Sequence, residues 1–190
     1  MADDVRDRIL SSYRAMGPDC YVAVRSSATG EDGADASFEL LARHELHTVP
    51  DYFLLQSFRV LSERRVNARG QLIALSEATV KLDVAGGRAM EVGEGNGPVN
   101  ALDAALRKAL VPVYPELEDM RLVDFKVRIL DSAGGTAATT RVMIESADAT
   151  GRRWSTIGVS PNIVDASYNA LYDAITYKLF RDGAQPAQRA

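Results

Sequence analysis

The sequence is short of the residues that carry most covalent and metal chemistry. One cysteine, Cys20, and two histidines, His44 and His47, occur in 190 residues. A lone cysteine excludes an internal disulfide and fits a reducing compartment. With so few histidines to activate it, Cys20 reads as an inert buried thiol rather than a nucleophile. His44-Glu-Leu-His47 does not form a His-x-His pair and falls on an expected solvated helix, so no metal site is expected there. Positive charge is in the minority, with 22 Lys and Arg against 26 Asp and Glu and a net charge of −4. No basic stripe stands out, which argues against a nucleic-acid partner. No run approaches the ~18 apolar residues of a membrane span, and the acidic start is not a signal peptide. The expectation is a cytoplasmic protein with no membrane partner and no cofactor.

What is present is ordinary for a globular chain: 46% hydrophobic and 25% charged residues. The length suits one domain of about 150 residues with an appendage. The organising feature is an internal repeat. Glu91-Val-Gly-Glu-Gly-Asn-Gly-Pro-Val-Asn-Ala-Leu-Asp-Ala-Ala-Leu106 reads as a strand end, a glycine-rich bend and a helix. Thr156-Ile-Gly-Val-Ser-Pro-Asn-Ile-Val-Asp-Ala-Ser-Tyr-Asn-Ala-Leu171 repeats that grammar. At an offset of 65 residues Gly93 meets Gly158, Val99 meets Val164, Ala101 meets Ala166, Ala105 meets Ala170 and Leu106 meets Leu171. Such matching implies a duplicated β-then-α unit, packed as a pseudo-two-fold pair with function where the two bends meet.

Taken in order, Asp3 to Met16 has helical spacing and ends at Gly17-Pro18. Cys20 to Arg25 reads as a buried strand before the polar loop Ser26 to Gly33. A helix follows from about Asp35 to Leu46, with Phe38, Leu41 and Leu46 among its apolar positions. From Tyr52 the period becomes two, and Asn67-Ala-Arg-Gly70 turns the chain. Ala78, Val80, Leu82 and Val84 then alternate with Thr79, Lys81 and Asp83. Ala85-Gly-Gly87 reads as a hairpin turn, Ala89 to Val92 as the returning strand, and Pro98 to about Leu110 as a helix opened by proline. Leu122 to Ile129, Thr139 to Ser146 and Trp154 to Val159 read as strands, with turns at Ser132-Ala-Gly-Gly135 and Ala149-Thr-Gly151. The closing helix runs from about Asn162 to Phe180, amphipathic through Val164, Ser167, Leu171, Ile175 and Leu179. The fold class is α+β: antiparallel strands with helices packed on one face. The expected division is an N-terminal segment at 1–32, a linker helix at 33–50, the main domain at 51–180 and a disordered tail at 181–190.

Several of these phrases carry a family likeness. Gly33-Ala-Asp-Ala-Ser-Phe-Glu-Leu-Leu41, Asn67-Ala-Arg-Gly70, Ser76-Glu-Ala-Thr-Val80, Gly93 through Lys108 and Trp154-Ser-Thr-Ile-Gly-Val-Ser160 resemble the C-terminal regulatory domain of citramalate synthase. That domain, the LeuA dimerisation domain, is shared with 2-isopropylmalate synthase. The resemblance covers roughly Gly33 to Phe180. It implies a homodimer that binds an end-product amino acid, isoleucine in citramalate synthases and leucine in isopropylmalate synthases. A second resemblance covers Tyr21-Val-Ala-Val-Arg-Ser-Ser-Ala-Thr-Gly-Glu-Asp32, which is similar to the ATP-binding domain of phosphoenolpyruvate synthase and pyruvate phosphate dikinase. The arginine matching Arg25 meets nucleotide phosphate there. The chain thus reads as a join between two unrelated proteins.

Neither family reaction is expected. The citramalate synthase barrel needs about 250 residues, and the stretch before Gly33 is too short to supply it. One strand and loop cannot enclose a nucleotide, so Arg25 is expected to be solvated or salt-bridged. The expected site is therefore an effector site. Glycines at 93, 95 and 97 expose N–H groups at a helix N-terminus, which favours a carboxylate. Gly95, Asn96 and Gly97 form that bend, and Ser160, Pro161 and Asn162 hold the equivalent place in the second copy. Asn100 and Asp124 are candidates for the ammonium, and Val99, Leu122, Phe125, Ile129 and Ile163 for an apolar pocket. The resemblance implies the same positions: Val99 and Asn100 after the first bend, Leu122, Phe125 and Ile129 in the next segment, and Pro161 and Ile163 at the second bend. On a regular strand Leu122 is out of phase with Phe125 and Ile129, so a bulge is required. Against this stands the plain reading that the glycines serve strand-to-helix packing and that Phe125 and Ile129 are core. The competing functions are a structural chimera with no ligand and an ATP-binding fragment.

Overall fold

Residue alternation and a few small residues decide how the chain packs. The computed structural model describes residues 35–45, 48–130 and 138–187. Its elements are α1 (Asp35–Glu45), β1 (Phe53–Val66), β2 (Leu72–Val84), β3 (Gly87–Gly95), α2 (Pro98–Leu110), a 3-10 turn (Pro115–Leu117), β4 (Arg121–Ile129), β5 (Thr140–Ala147), β6 (Arg153–Ser160) and α3 (Ile163–Arg181). The expected helix at Asp3–Met16, the strand and loop from Cys20 to Gly33, Leu46, His47 and the Ser132–Gly135 turn lie outside the described residues. The chain divides into two compact units, one of residues 51–118 with the tail and one of residues 119–180 with α1. Each holds a three-stranded antiparallel sheet, ordered β1-β2-β3 in the first and β4-β5-β6 in the second. The α+β expectation of antiparallel strands with helices on one face holds. The duplicated element is larger than a strand and a helix: three strands and a helix recur, with α2 and α3 beginning 65 residues apart.

In the first unit, Ala78, Val80 and Leu82 of β2 are completely buried, as their alternation dictates. Val84, Leu82, Val80 and Ala78 pair with Phe53, Leu55, Phe58 and Val60 of β1, so one face of the sheet is apolar across both strands. The β2–β3 hairpin closes with a two-residue loop, Val84 pairing with Gly87. Ala85 and Gly86 both take positive φ, 52° and 67°, the backbone of a primed turn matched to strand twist. Ala85 is therefore a strained choice where glycine or asparagine is at ease. Tyr114 donates its hydroxyl to the Tyr52 carbonyl at 2.7 Å and accepts from the Ala187 N–H at 3.1 Å. The tail expected to be disordered thus has an anchor, and Ala184 within it is buried. Arg181 belongs to α3 rather than to the tail.

Helix and sheet meet through glycine in both units. A Cβ on Gly93 would stand 2.6 Å from the Ala101 carbonyl oxygen, and one on Gly158 2.8 Å from the Ala170 N–H nitrogen. Ala101, Ala105, Ala166 and Ala170 are all completely buried. These are the residues that match at the 65-residue offset. The repeat seen in sequence is the imprint of one packing solution used twice: a bare strand position lets an alanine-faced helix lie with its backbone against the sheet.

The second unit adds polar anchors. Thr156 donates to the Ala170 carbonyl at 2.7 Å and the Trp154 indole to that of Ala174 at 3.1 Å. Asp148, with no exposed surface, accepts from the Thr150 hydroxyl at 2.6 Å and Arg152 Nε at 2.6 Å. Lys178, 4% exposed, reaches Asp119 at 3.0 Å and Asp148 at 3.7 Å. Along β6 lies α1, where Ser37 Oγ accepts from the Ile157 N–H at 2.9 Å and donates to Asp173 at 2.6 Å. The buried residues of α1 include Ala36 and Leu40, whereas Phe38 is 44% exposed. The apolar face expected through Phe38 and Leu41 is thus rotated, because the Ser37 anchor fixes which side meets the sheet and α3.

Two predictions follow from this packing. Gly158→Ala loses about 3 kcal/mol, since its new methyl would press on helix backbone that cannot swing aside; Gly93→Ala behaves alike, and urea unfolding measures both. The two acids titrate in opposite senses. Burial raises the Asp148 carboxyl, but its Thr150 and Arg152 hydrogen bonds and the Arg152 charge outweigh that and hold it well below the ordinary range. Its stabilising contribution is present above about pH 4 and lost in stronger acid. Asp173 is pushed up to about 7 by burial, against the Ser37 hydrogen bond. It favours the fold below about pH 4, and that contribution is lost as pH rises toward 7. Thermal melts across pH should show Asp173→Asn flattening the neutral-side slope and Asp148→Asn the acid-side one, the latter at a cost of about 3 kcal/mol.

Candidate functional site

The first bend is open. β3 ends at Gly95, and α2 starts at Pro98 with Gly97 as its N-cap, extended at φ −170° and making no side-chain cap. Its first turn contains no acidic residue. The N–H groups at the head of α2 and the positive end of its dipole therefore face outward without a side-chain acceptor. Asn100 Oδ1 accepts from the Asn96 N–H at 3.3 Å, which ties the bend to the first turn. Gly95 is required for close approach: a Cβ there would lie 2.6 Å from the Ala101 nitrogen. Gly97 has nothing within 4 Å of such an atom. The bend itself falls at Asn96 and Gly97, and none of the three glycines needs positive φ: Gly93 and Gly95 relieve crowding against the helix.

The second bend is the same backbone motif in a different electrostatic state. Asn162 caps α3, its Oδ1 accepting from the Val164 N–H at 2.8 Å, while its own N–H donates to Ser160 Oγ at 3.1 Å. Asp165 adds a carboxylate in the first turn. The α3 terminus thus fills itself, and Pro161 and Ile163 stand exposed beside it.

On β4 the required bulge is present: the register with β5 shifts between Leu122 and Asp124. It brings Leu122, opposite Ser146, onto the face shared by Phe125, opposite Ile144, and Ile129, opposite Thr140. This is the face that carries α3, yet Val127 is 44% and Ile129 60% exposed. Reading Ile129 as core is therefore corrected, because β4 is an edge strand that the helix does not fully cover. Leu122 and Ile129 sit at opposite ends of the strand, roughly 20 Å apart by strand rise, too far for one amino-acid side chain to touch both. The row Ile129–Thr140–Ser160 puts Ile129 at the end of the sheet that carries Pro161 and Ile163. Asp124 points to the other face, where it pairs with Lys126 at 3.3 Å. Of the eleven expected site residues, Gly95, Asn96, Gly97, Val99 and Asn100 lie in the first unit and Leu122, Asp124, Phe125, Ile129, Pro161 and Ile163 in the second. Arg25 lies outside the described residues. Among the described residues no group of three or more potential metal ligands occurs, and no helix is long and apolar enough to cross a membrane.

The described residues thus form an α+β domain made by duplicating a three-strand-and-helix unit, with an uncapped helix head and an apolar edge strand on its surface. The chain belongs to the LeuA allosteric (dimerisation) domain family, whose model matches residues 32–179. It is 50% identical over 158 residues to an (R)-citramalate synthase of Streptomyces coelicolor, covering 83% of this chain and 29% of that protein. It is 51% identical over 150 residues to the (R)-citramalate synthase of Geobacter sulfurreducens, covering 79% and 28%. A 2-isopropylmalate synthase of Clostridium kluyveri is 26% identical over 156 residues, covering 82% and 27%. The chain therefore spans less than a third of the length of these relatives, and what it matches is a regulatory dimerisation domain, which points to homodimer formation.

The contrast between the bends is measurable. Asn162→Ala should lose about 1 kcal/mol in urea unfolding, the usual cost of an N-cap. Pro98 leads a helix with no side-chain cap to lose, so Gly97→Asn should stabilise by a few tenths of a kcal/mol.

Proposed function

We propose that this chain is a non-catalytic regulatory module that binds a branched-chain amino acid, isoleucine in preference to leucine, for feedback inhibition of a citramalate synthase-like enzyme. The observation that carries the reading is the uncapped N-terminus of α2, with no acidic residue in its first turn. A free amino-acid carboxylate is the anion such a terminus favours. The carboxylate role falls to the bend Gly95-Asn96-Gly97 and the α2 head at Val99, and the ammonium role to Asn100. The apolar role falls to Phe125 and Ile129 on β4, with Pro161 and Ile163, whose exposure leaves them free to gain from burial. Identity near 50% to citramalate synthases, against 26% to an isopropylmalate synthase, supports isoleucine. Inhibition would arise because the effector favours one arrangement of the dimer, and so of the catalytic parts joined to it.

Isothermal titration of the chain with isoleucine and with leucine, together with its mass in solution, tests the proposal. The expected outcome is saturable binding by a dimer, tighter for isoleucine, and at least tenfold weaker in Phe125→Ala, about 1.4 kcal/mol. A folded dimer that gives no heat with either amino acid would overturn it and leave a structural scaffold.

A further inference from the structure

We propose that β1 pairs edge to edge with β1 of a second copy of this chain, antiparallel about a two-fold axis at Leu61, so that their sheets join into one. β1 is the outer strand of the β1-β2-β3 sheet, and α2 packs mainly on β3 and β2. From Leu61 to Val66 every residue of β1 is exposed, and Leu61 itself is 60% exposed. β1 and β2 also run on past β3, whose last residue, Gly95, pairs with Ser76. Glu63–Val66 and Leu72–Leu75 therefore form a two-stranded arm among the described residues. Such an arm is marginal in water and gains from a third strand. An outer strand this long and this exposed is open to pairing with another chain.

The sequence of β1 selects both the occupant and the register. Arg59, Leu61 and Glu63 pair with Thr79, Glu77 and Leu75 of β2, on the face of the sheet away from α2. With Leu61 opposite its own copy, Glu63 stands opposite the partner's Arg59, and the two-fold axis repeats that pair on the other side. Opposite charges so placed stabilise a sheet, and like charges destabilise it. In the same register Ser62 meets the partner's Val60, Arg64 the partner's Phe58 and Arg65 the partner's Ser57, so no like charges are opposed. A slip one way along β1 sets Arg59 against the partner's Arg65. A slip the other way sets Arg59 against the partner's Leu61 and dissolves both ion pairs. The strand's own irregularity marks the same limits: the register with β2 shifts between Leu55 and Ser57, and Leu61 is the midpoint of the regular stretch from Ser57 to Arg65. This inference names the surface of the homodimer in the reading above and rests on that dimer, not on the amino-acid site.

Sedimentation equilibrium of the chain measures how tightly it dimerises. Glu63 and Arg59 are exposed, so Glu63→Arg and Arg59→Glu should each fold normally, with a wild-type circular dichroism spectrum. Glu63→Arg opposes arginine to arginine across the axis, and Arg59→Glu opposes glutamate to glutamate. Each should weaken dimerisation by about tenfold or more. Mixing the two variants restores both ion pairs in a heterodimer, which should form as tightly as the wild-type dimer. Damage to the fold of either variant could not produce that rescue. A wild-type dimer that Glu63→Arg leaves intact, or weakened variants that mixing does not rescue, would overturn the β1 interface and leave the homodimer to another surface. A monomeric wild-type chain would overturn the interface and the homodimer together.

Discussion

The close approach of helix backbone to strand backbone at Gly93 and Gly158 is the constraint on which both units depend. Each glycine opens a gap one methyl wide, and each is met by a pair of buried alanines. Small residues on both sides shorten the distance over which the flanking leucines and valines must reach, so Leu102, Leu106 and Leu171 fill the core instead of bridging it. A side chain at either glycine would push the helix off its sheet along its whole length, since a helix moves as a rigid body. The duplication preserved this contact while the surrounding surface diverged.

The second unit carries more polar weight than the first. Its helix is buried on more than one side, with Thr176 and Lys178 enclosed beside the apolar positions, because α1 lies along it as well as the sheet. Lys178 is held by Asp119, at the foot of β4, and by Asp148, at the β5–β6 turn. One ammonium thus pins the helix to two strand ends. An apolar substitute could fill the same volume, but it would not fix the register of α3 against both turns at once.

Much of the fold was legible because the pattern was strong at the right places. The alternation of Ala78 to Val84, the glycine turn at Ala85–Gly87 and the proline opening α2 each left one reading open. The offset repeat was legible for a deeper reason: the glycine–alanine seam tolerates almost no substitution, so both copies had to keep it. What sequence could not supply was orientation. Phe38 outweighs Ala36 on any hydrophobicity count, yet a hydrogen bond from Ser37 to Asp173, 136 residues away, decides which side of α1 is buried. Asp148 reads as one more turn aspartate, and only folding encloses it. Ile129 looks like core until β4 is known to be an edge strand that its helix does not reach.

The two bends show how the copies of a duplicated fold come to differ at the head of their helices. Gly97 and Asn162 occupy the same place in the repeat, at an offset of 65 residues. Asparagine satisfies the helix head from within, and the neighbouring Asp165 adds charge of the sign an incoming anion carries. Glycine satisfies nothing, and Asn100, the counterpart of Asp165, is neutral. The stability given up at Gly97 relative to an asparagine cap is small. What it leaves is a set of outward N–H donors held rigid by the seam directly beneath them, because Gly93 and Gly95 fix the strand from which the helix springs. Rigidity and unsatisfied donors together favour an anion over water, since the donors lose little freedom when one arrives. In the second copy the corresponding donor is already taken by the Asn162 side chain.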